Sequence, residues 1–360
     1  MKRDSLLVTG LGQCGGILAD LLRKYNKRYT TFFANSSIGD TTELKYADIE
    51  SNVFIYGGSD GSGRDRNKAT KFIVNDRIRL ASVLKKYGQF KCMLIFVGFG
   101  GGTGGGTLIE FIKTTKAIFP NMIINLVGVI PNFKENNLEL RNALDCLEDL
   151  NEVYKLLNDV KFIDNNKRNT YEEINREAIS AIDESYSMLG HHSIGSIDED
   201  NLTRVTTAQG YGIALKLSDK YATLEDSVRN AIKESVFALP SSLECTYGAI
   251  NVSEDYNINQ VKEFIKIDET FYKTYGKKNI LCLGGCNFPE ETIDELDSNL
   301  KERELRKDHS HKRGLNFKSK YNTTNKKESP IAIDTSKNKD IQYIDDDDID
   351  NLFNLNNFKF

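Results

Sequence analysis

A chain of 360 residues has room for about two domains of ordinary size, and its 39% apolar content is enough to build a sizeable core. With 48 Lys and Arg against 52 Asp and Glu, the net charge of -4 argues against direct nucleic-acid binding, which needs clustered cations to release counterions. No apolar run is long enough to span a bilayer, and six cysteines at irregular positions suit reduced thiols better than a disulfide frame. A cytoplasmic protein without a membrane partner is expected.

In chain order, Ser5 to Thr9 reads as a strand, and Gly10-Leu11-Gly12-Gln13-Cys14-Gly15-Gly16 as a glycine-rich turn opening a helix that runs to Tyr25. Thr31 to Ala34 and Val53 to Tyr56 are further strands, the first followed by Asn35-Ser36. The next loop holds Gly61, Ser62 and Gly63, small enough to cover a terminal phosphate, and Asp60 and Asp65, either of which suits a magnesium ion approached through water. Arg66 to Tyr87 predicts a long helix with Ile73, Ile78, Leu80, Val83 and Leu84 as its apolar stripe.

Met93 to Gly98 is an apolar strand. Behind it Gly100-Gly101-Gly102-Thr103-Gly104-Gly105-Gly106-Thr107 leads into an amphipathic stretch from Leu108. Glycines in this setting leave successive backbone N–H groups free to close on phosphate oxygens at the positive end of the next helix. A flexible linker does not sit between a buried strand and a helix, and the missing lysine excludes a Walker-type loop.

Met122 to Ile130 and Val160 to Ile163 complete the strands of this part, with leucines at helical spacing between Leu138 and Asp159. The alternation predicts an α/β, Rossmann-like parallel sheet covered on both faces, its ligand at the strands' carboxyl ends. A long connecting helix follows from Tyr171 to Leu189, with Ile174, Ala178, Ile182 and Met188 on one side. Beyond it, strands at Tyr211 to Leu217, Cys245 to Val252 and Asn279 to Gly284 alternate with helical patterns at Leu224 to Phe237 and Ile258 to Tyr275, a smaller α+β domain. Pro289 opens a last helix to about Lys307.

After His309 the composition allows no packed core. Asp345 to Asp348 precede Ile349, Leu352, Phe353, Leu355, Phe358 and Phe360, spacing that fits either a short partner-binding motif or an uninformative end. The expected division is a nucleotide domain at 1–170, a connecting helix at 171–190, a second domain at 191–288, a helix at 289–308 and a disordered tail at 309–360. Cys282 and Cys286 with His309 or His311 offer only a loose metal spacing, and buried strand cysteines are the plainer reading.

These motifs resemble those of the tubulin and FtsZ superfamily of GTP-dependent filament proteins. Gly100 to Gly106 carries the family's GGGTG-small-G signature, Gly12-Gln13-Cys14-Gly15 resembles its first phosphate loop, and Asn35-Ser36 and Ile130 to Glu135 resemble further nucleotide loops. The resemblance implies GTP or GDP with Mg2+. It implies an acidic residue on ribose, for which Glu135 and Glu139 both qualify, with Arg141 supporting the nucleotide. Asn165, Tyr171 and Asn175 then grip guanine, the last two sharing a helix face at i and i+4.

In this family the loop after the central helix of the next subunit supplies acids that position the attacking water. Here the corresponding residues are Asp198, Asp200 and Asn201, although their spacing departs from the FtsZ pattern and also suits a helix N-cap. The resemblance therefore implies a head-to-tail filament GTPase, in the branch found on plasmids and phages, whose tail is gripped by a DNA-binding adaptor. An FtsZ-like division filament and a nucleotide-bound scaffold with little hydrolysis stand as alternatives. A dinucleotide oxidoreductase rests on the first glycine turn alone, since the second has no place in that fingerprint.

Overall fold

A computed structural model describes residues 3–57, 60–192 and 195–311, the side chains of 191, 192 and 307–311 excepted. Strands β1 (Leu6–Leu11), β2 (Thr30–Asn35), β3 (Val53–Ile55), β4 (Cys92–Gly98), β5 (Ile123–Ile130) and β6 (Asp159–Asp164) are parallel and lie in the order β3-β2-β1-β4-β5-β6. Their near-continuous apolar runs follow from burial on both faces. Leu6 and Val8 point to the side covered by α1 (Gly12–Tyr25) and α6 (Tyr171–Ser185). Leu7 and Leu11 point to the side covered by α3 (Arg66–Leu84), α4 (Gly102–Ile118) and α5 (Asn137–Asp149). A single turn, α2 (Gly39–Thr42), follows β2.

The sheet continues through β9 (Gly210–Lys216), which joins β6 in parallel at Asp159↔Gly210 and Val160↔Tyr211. Antiparallel β12 (Ile280–Cys286) follows, then β10 (Glu244–Val252) and the edge strand β11 (Lys266–Tyr275). Strands β7 (Gly190–His192) and β8 (Gly195–Ile197) form a separate pair. Helices α7 (Glu199–Thr206), α8 (Leu224–Lys233) and α9 (Glu290–His311) complete the described residues. No described helix is long and apolar enough to cross a membrane.

Three expectations change. The helix expected to run through Ile258 to Tyr275 is a short 3-10 helix, Ile258–Glu263, followed by β11. The spacing of Ile258, Val261 and Ile265 is helical, but Thr270, Phe271, Tyr272, Thr274 and Tyr275 are β-branched or aromatic and fit a half-covered edge. The central helix ends at Ser185 rather than Leu189, where the Ser185 and Ser187 hydroxyls donate back to Ile182 O and Glu184 O. In α3, Ile78 is 87% exposed whereas Ile73, Leu80 and Leu84 are buried. The tail residues 312–360 lie outside the described residues, as does any reading placed on them.

At the β6–β9 seam, Lys161 and Asp159 form a buried ion pair over Gly212. A Cβ at Gly212 would fall 1.7 Å from Asp159 Oδ1. Cys282 and Cys286 are buried on β12, and no metal-sized cluster of His, Cys, Asp or Glu occurs among the described residues.

The two isoleucines of α3 separate packing from pattern. Ile73→Ala is expected to lower the unfolding free energy by about 2–5 kcal/mol in urea titrations, and Ile78→Ala to change it by less than about 0.5 kcal/mol.

Candidate functional site

A cleft of about 540 Å³ opens at the carboxyl ends of β1 and β4, where the strand order reverses and open α/β sheets bind their ligands. Leu11, Gly12, Gln13 and Cys14 line it from one strand end and Gly98 with Gly100 to Gly104 from the other. Helices α1 and α4 start there, with Leu11 and Gly101 at their N-cap positions, no side-chain cap and no acidic residue in the first turn. By contrast, α3, α5, α6, α7 and α8 are capped by Asp65, Asn136, Thr170, Asp198 and Thr223. The first N–H groups of an α-helix have no partner within it. Two sets of these, each at a positive helix end, therefore face one cleft and suit an anion with several oxygens.

Glycine is required where these loops meet. Gly12 has φ +67°, and a Cβ on it would stand 2.8 Å from Gly104 N. A Cβ on Gly102 would stand 2.5 Å from both the Arg64 carbonyl carbon and Ser62 Oγ. Thr103 Oγ1 lies 2.6 Å from Ser36 Oγ and 3.2 Å from Ser62 Oγ, joining the loops after β2, β3 and β4. Arg64, at φ 66°, is a non-glycine residue in the left-handed region on the cleft wall. Its carbonyl accepts from Asn142 Nδ2 at 2.9 Å.

The opposite end of the cleft is built from Pro131, Glu135, Glu139, Asn165, Tyr171 and Asn175. Asn132 Nδ2 donates to Asn165 O at 2.7 Å and fixes that backbone, while Asn165 Oδ1 is buried with no hydrogen-bond partner. The Tyr171 hydroxyl donates to Glu135 Oε1. Glu139 Oε1 meets Arg64 at 3.0 Å, and Glu139 Oε2 is buried without a partner. Burial and the adjacent Glu135 push the Glu139 carboxyl up to about 7, and the hydrogen bonds on Glu135 hold that carboxyl below its usual range. Burial pushes the Cys14 thiol up to about 12, so it stays protonated at neutral pH.

Not every expected residue lines the cleft. Gly12, Gln13, Cys14, Asp60, Gly61, Ser62, Gly63, Gly100 to Gly104, Glu135, Glu139, Asn165, Tyr171 and Asn175 do. Gly15 instead lets α1 approach β4, since its Cβ would fall 2.1 Å from Phe96 O, and Gly105 lies behind the cleft under Phe99 O. Asn35 is buried one layer back and accepts from Ser36 N at 2.8 Å and Ser37 N at 3.3 Å, shaping the loop that carries Ser37 and Asp40. Asp65 caps α3 rather than facing the cleft, and Arg141 pairs with Glu304 of α9. Arg64, Ser37 and Asp40 were absent from the sequence reading of the site. The Asn-Ser-Ser turn was the available signal for the last two.

Asp198, Asp200 and Asn201 stand at the start of α7, outside the cleft lining. Asp198 Oδ1 accepts from Asn201 N at 2.8 Å and Asn201 Oδ1 accepts from Asp198 N at 3.2 Å, a reciprocal capping box. Asp200 is exposed on the first turn.

Backbone anion cradles at the switch point of a 3-2-1-4-5-6 sheet, with amide and carboxylate side chains at the far end, define an α/β nucleotide-binding protein. Residues 5–171 match the family described as Tubulin/FtsZ family, GTPase domain, and the chain has the tubulin/FtsZ fold. It is 25% identical over 369 aligned residues to the tubulin-like protein TubZ of Clostridium botulinum C phage, covering 99% of this chain and 98% of that one. The structure of Clostridium botulinum phage c-st TubZ with its C-terminal tail truncated matches with a TM-score of 0.77 at 23% identity, over 84% of this chain and 99% of that one. A GTPγS-form protofilament of Bacillus thuringiensis serovar israelensis TubZ matches with a TM-score of 0.73 at 18% identity, over 85% and 94%.

Because the folded state holds the Glu139 proton more tightly than the unfolded chain, stability falls as pH rises from the ordinary glutamate range through about 7. Glu139→Gln is therefore expected to raise the melting temperature of the nucleotide-free protein at pH 8 and to leave it nearly unchanged at pH 4.5. Thermal scans at both pH values check this.

Proposed function

We propose that the chain is a GTPase that polymerises head to tail into dynamic filaments, each cleft being completed by the start of α7 from the next subunit. The observation that carries this reading is the separation of parts within one chain. The cleft gathers backbone donors for a triphosphate, while the carboxylate suited to aligning a water, Asp200, is exposed on a different surface element. Hydrolysis then waits for assembly, because phosphoryl transfer depends on positioning the nucleophile and stabilising charge at once.

Guanine is the base the far end suits. The unpartnered Asn165 Oδ1 is an acceptor for the ring N–H and amino donors of guanine, an edge adenine does not present. Asn175 offers a second carboxamide one helical turn from Tyr171, whose ring is free to cover the base. Mg2+ fits the phosphate end, since Asp60 and Asp40 line the same cleft as Ser62 and Thr103, whose hydroxyls lie 3.2 Å apart. This oxygen-only set suits a cation that takes most of its ligands from phosphates and water.

Similarity to TubZ over nearly the whole chain supports a role in segregating plasmid or phage DNA through a DNA-binding adaptor of the TubR type. In this reading the adaptor grips the C-terminal tail, where acidic Asp345 to Asp348 speed encounter with a basic partner and the apolar residues beyond them anchor it. The protein itself contacts neither DNA nor membrane and works in the cytoplasm. A nucleotide-bound scaffold with little turnover is the second reading, favoured by the engagement of Asp198 and Asn201 in a cap.

Light scattering and phosphate release followed together separate the two. With GTP, both are expected to rise above a threshold protein concentration, and Asp200→Ala to keep assembly while slowing release by about 10²-fold or more. Asp198→Ala is expected to cost about 1 kcal/mol of stability as well, through the lost cap. Turnover strictly proportional to protein concentration would refute completion by a neighbour. Truncation after Lys339 is expected to abolish adaptor binding in pull-downs and to leave GTP turnover intact.

A further inference from the structure

We infer that Arg303 of the C-terminal helix α9 is the positioning residue for the nucleotide's sugar, acting through the backbone of the loop between β5 and α5. Its guanidinium donates to Glu135 O at 2.5 Å and to Phe133 O. Both carbonyls belong to the turn that carries the Glu135 carboxylate into the cleft. Arg303 touches no cleft-lining side chain in these contacts. It holds two main-chain acceptors from behind, with the planar fork that makes arginine, and not lysine, suited to two fixed oxygens.

The turn has other ties within the same half of the chain. Phe133 N donates to Asn166 Oδ1 at 2.7 Å, Lys134 N donates to Asn132 Oδ1 at 2.9 Å, and Glu135 N donates to Asn132 O at 2.9 Å. All of these fix N–H groups. The carbonyls of Phe133 and Glu135 are held by α9, and α9 also meets α5 through the Arg141–Glu304 pair. What the turn presents to the cleft is chemically specific. Glu135 and Glu139 stand side by side, Glu135 accepting from the Tyr171 hydroxyl and Glu139 lying against Gly100. The oxygens of these two adjacent carboxyl groups accept from hydroxyls, so the ligand group that suits them is the vicinal diol of a ribose.

Arg303 thus sets sugar recognition, while the phosphate cradles and Asn175 stand on α1, α4 and α6, and Asn165 is tied to this loop through Asn132 and Asn166 rather than through Arg303. This assignment rests on the cleft being a guanine-nucleotide site. The test measures binding of GTP and of 2′,3′-dideoxy-GTP to the full chain by competition with a fluorescent guanine nucleotide, for wild type, Arg303→Met, Arg303→Lys and Glu304→Gln.

Arg303→Met is expected to weaken GTP by about 10-fold and dideoxy-GTP by less than about 2-fold, as lost charge-assisted hydrogen bonds to a sugar-holding turn would. Arg303→Lys should recover part of the ribose preference, and Glu304→Gln, which opens the neighbouring α5–α9 pair, should retain all of it. Equal loss for both nucleotides, or wild-type binding by Arg303→Met, overturns the assignment and leaves the nucleotide site standing. A wild-type chain that binds neither nucleotide overturns the site itself, and this role with it.

Discussion

The structure depends on backbone donors that are deliberately left without partners. Helices α1 and α4 begin at the two strand ends that flank the switch point, and neither supplies a side chain to satisfy its first turn. Main-chain amides cannot be moved by a rotamer change and carry no formal charge. The cradle is therefore as rigid as the sheet behind it, and its attraction for phosphate comes from helix ends and not from lysine. This accounts for the glycines: Gly12, Gly102 and Gly104 occupy places where any Cβ would collide with the opposite loop. The three hydroxyls of Ser36, Ser62 and Thr103 then lock the loops after β2, β3 and β4 into one wall.

The charged groups follow a complementary logic. Carboxylates line the cleft at Glu135, Glu139, Asp40 and Asp60 and stand on α7, but none sits in the first turn of α1 or α4, where it would oppose an anion. Glu139 shows the tension of this arrangement. Burial first and the adjacent Glu135 second raise its pKa, with Arg64 offsetting only part of the cost. A residue in that state gains more from a hydroxyl donor than a solvated glutamate does.

Short-range features were legible in the sequence because they are fixed locally. The strand–glycine–helix units after β1 and β4 follow from apolar runs broken by residues that only a close backbone approach explains, and Tyr171 with Asn175 follows from the family resemblance, helical spacing adding only that the two share a face. Long-range pairing was not legible. Arg141 reads as a nucleotide-side arginine until α9 folds back and Glu304 takes it. Arg303 gives no local signal at all, since it is one arginine on a charged helix whose partners are carbonyls some 170 residues away. Asp65 and Asp198 show a third limit, because an aspartate before a helix suits both a cap and a ligand and the sequence does not choose. The helical pattern over Ile258 to Tyr275 failed for a related reason. Its spacing was read across a boundary, and the second half obeys edge-strand packing.

The seam between β6 and β9 has a mechanical consequence. The two strands share only the pairs Asp159↔Gly210 and Val160↔Tyr211, so little of the hydrogen-bond ladder crosses the middle of the sheet. Beyond these pairs β6 is joined by the 236–238 segment, through Asp164 N to Val236 O and Ala238 N to Phe162 O, and by side chains. The Tyr211 hydroxyl accepts from Phe162 N at 3.0 Å and donates to Ala238 O at 2.6 Å, the Asp159–Lys161 pair sits over Gly212, and α6 packs across β6, β9 and β12. A pull applied to opposite edges of the sheet is therefore carried at this line by two ladder pairs, the 236–238 segment and these side chains, and not by one continuous ladder.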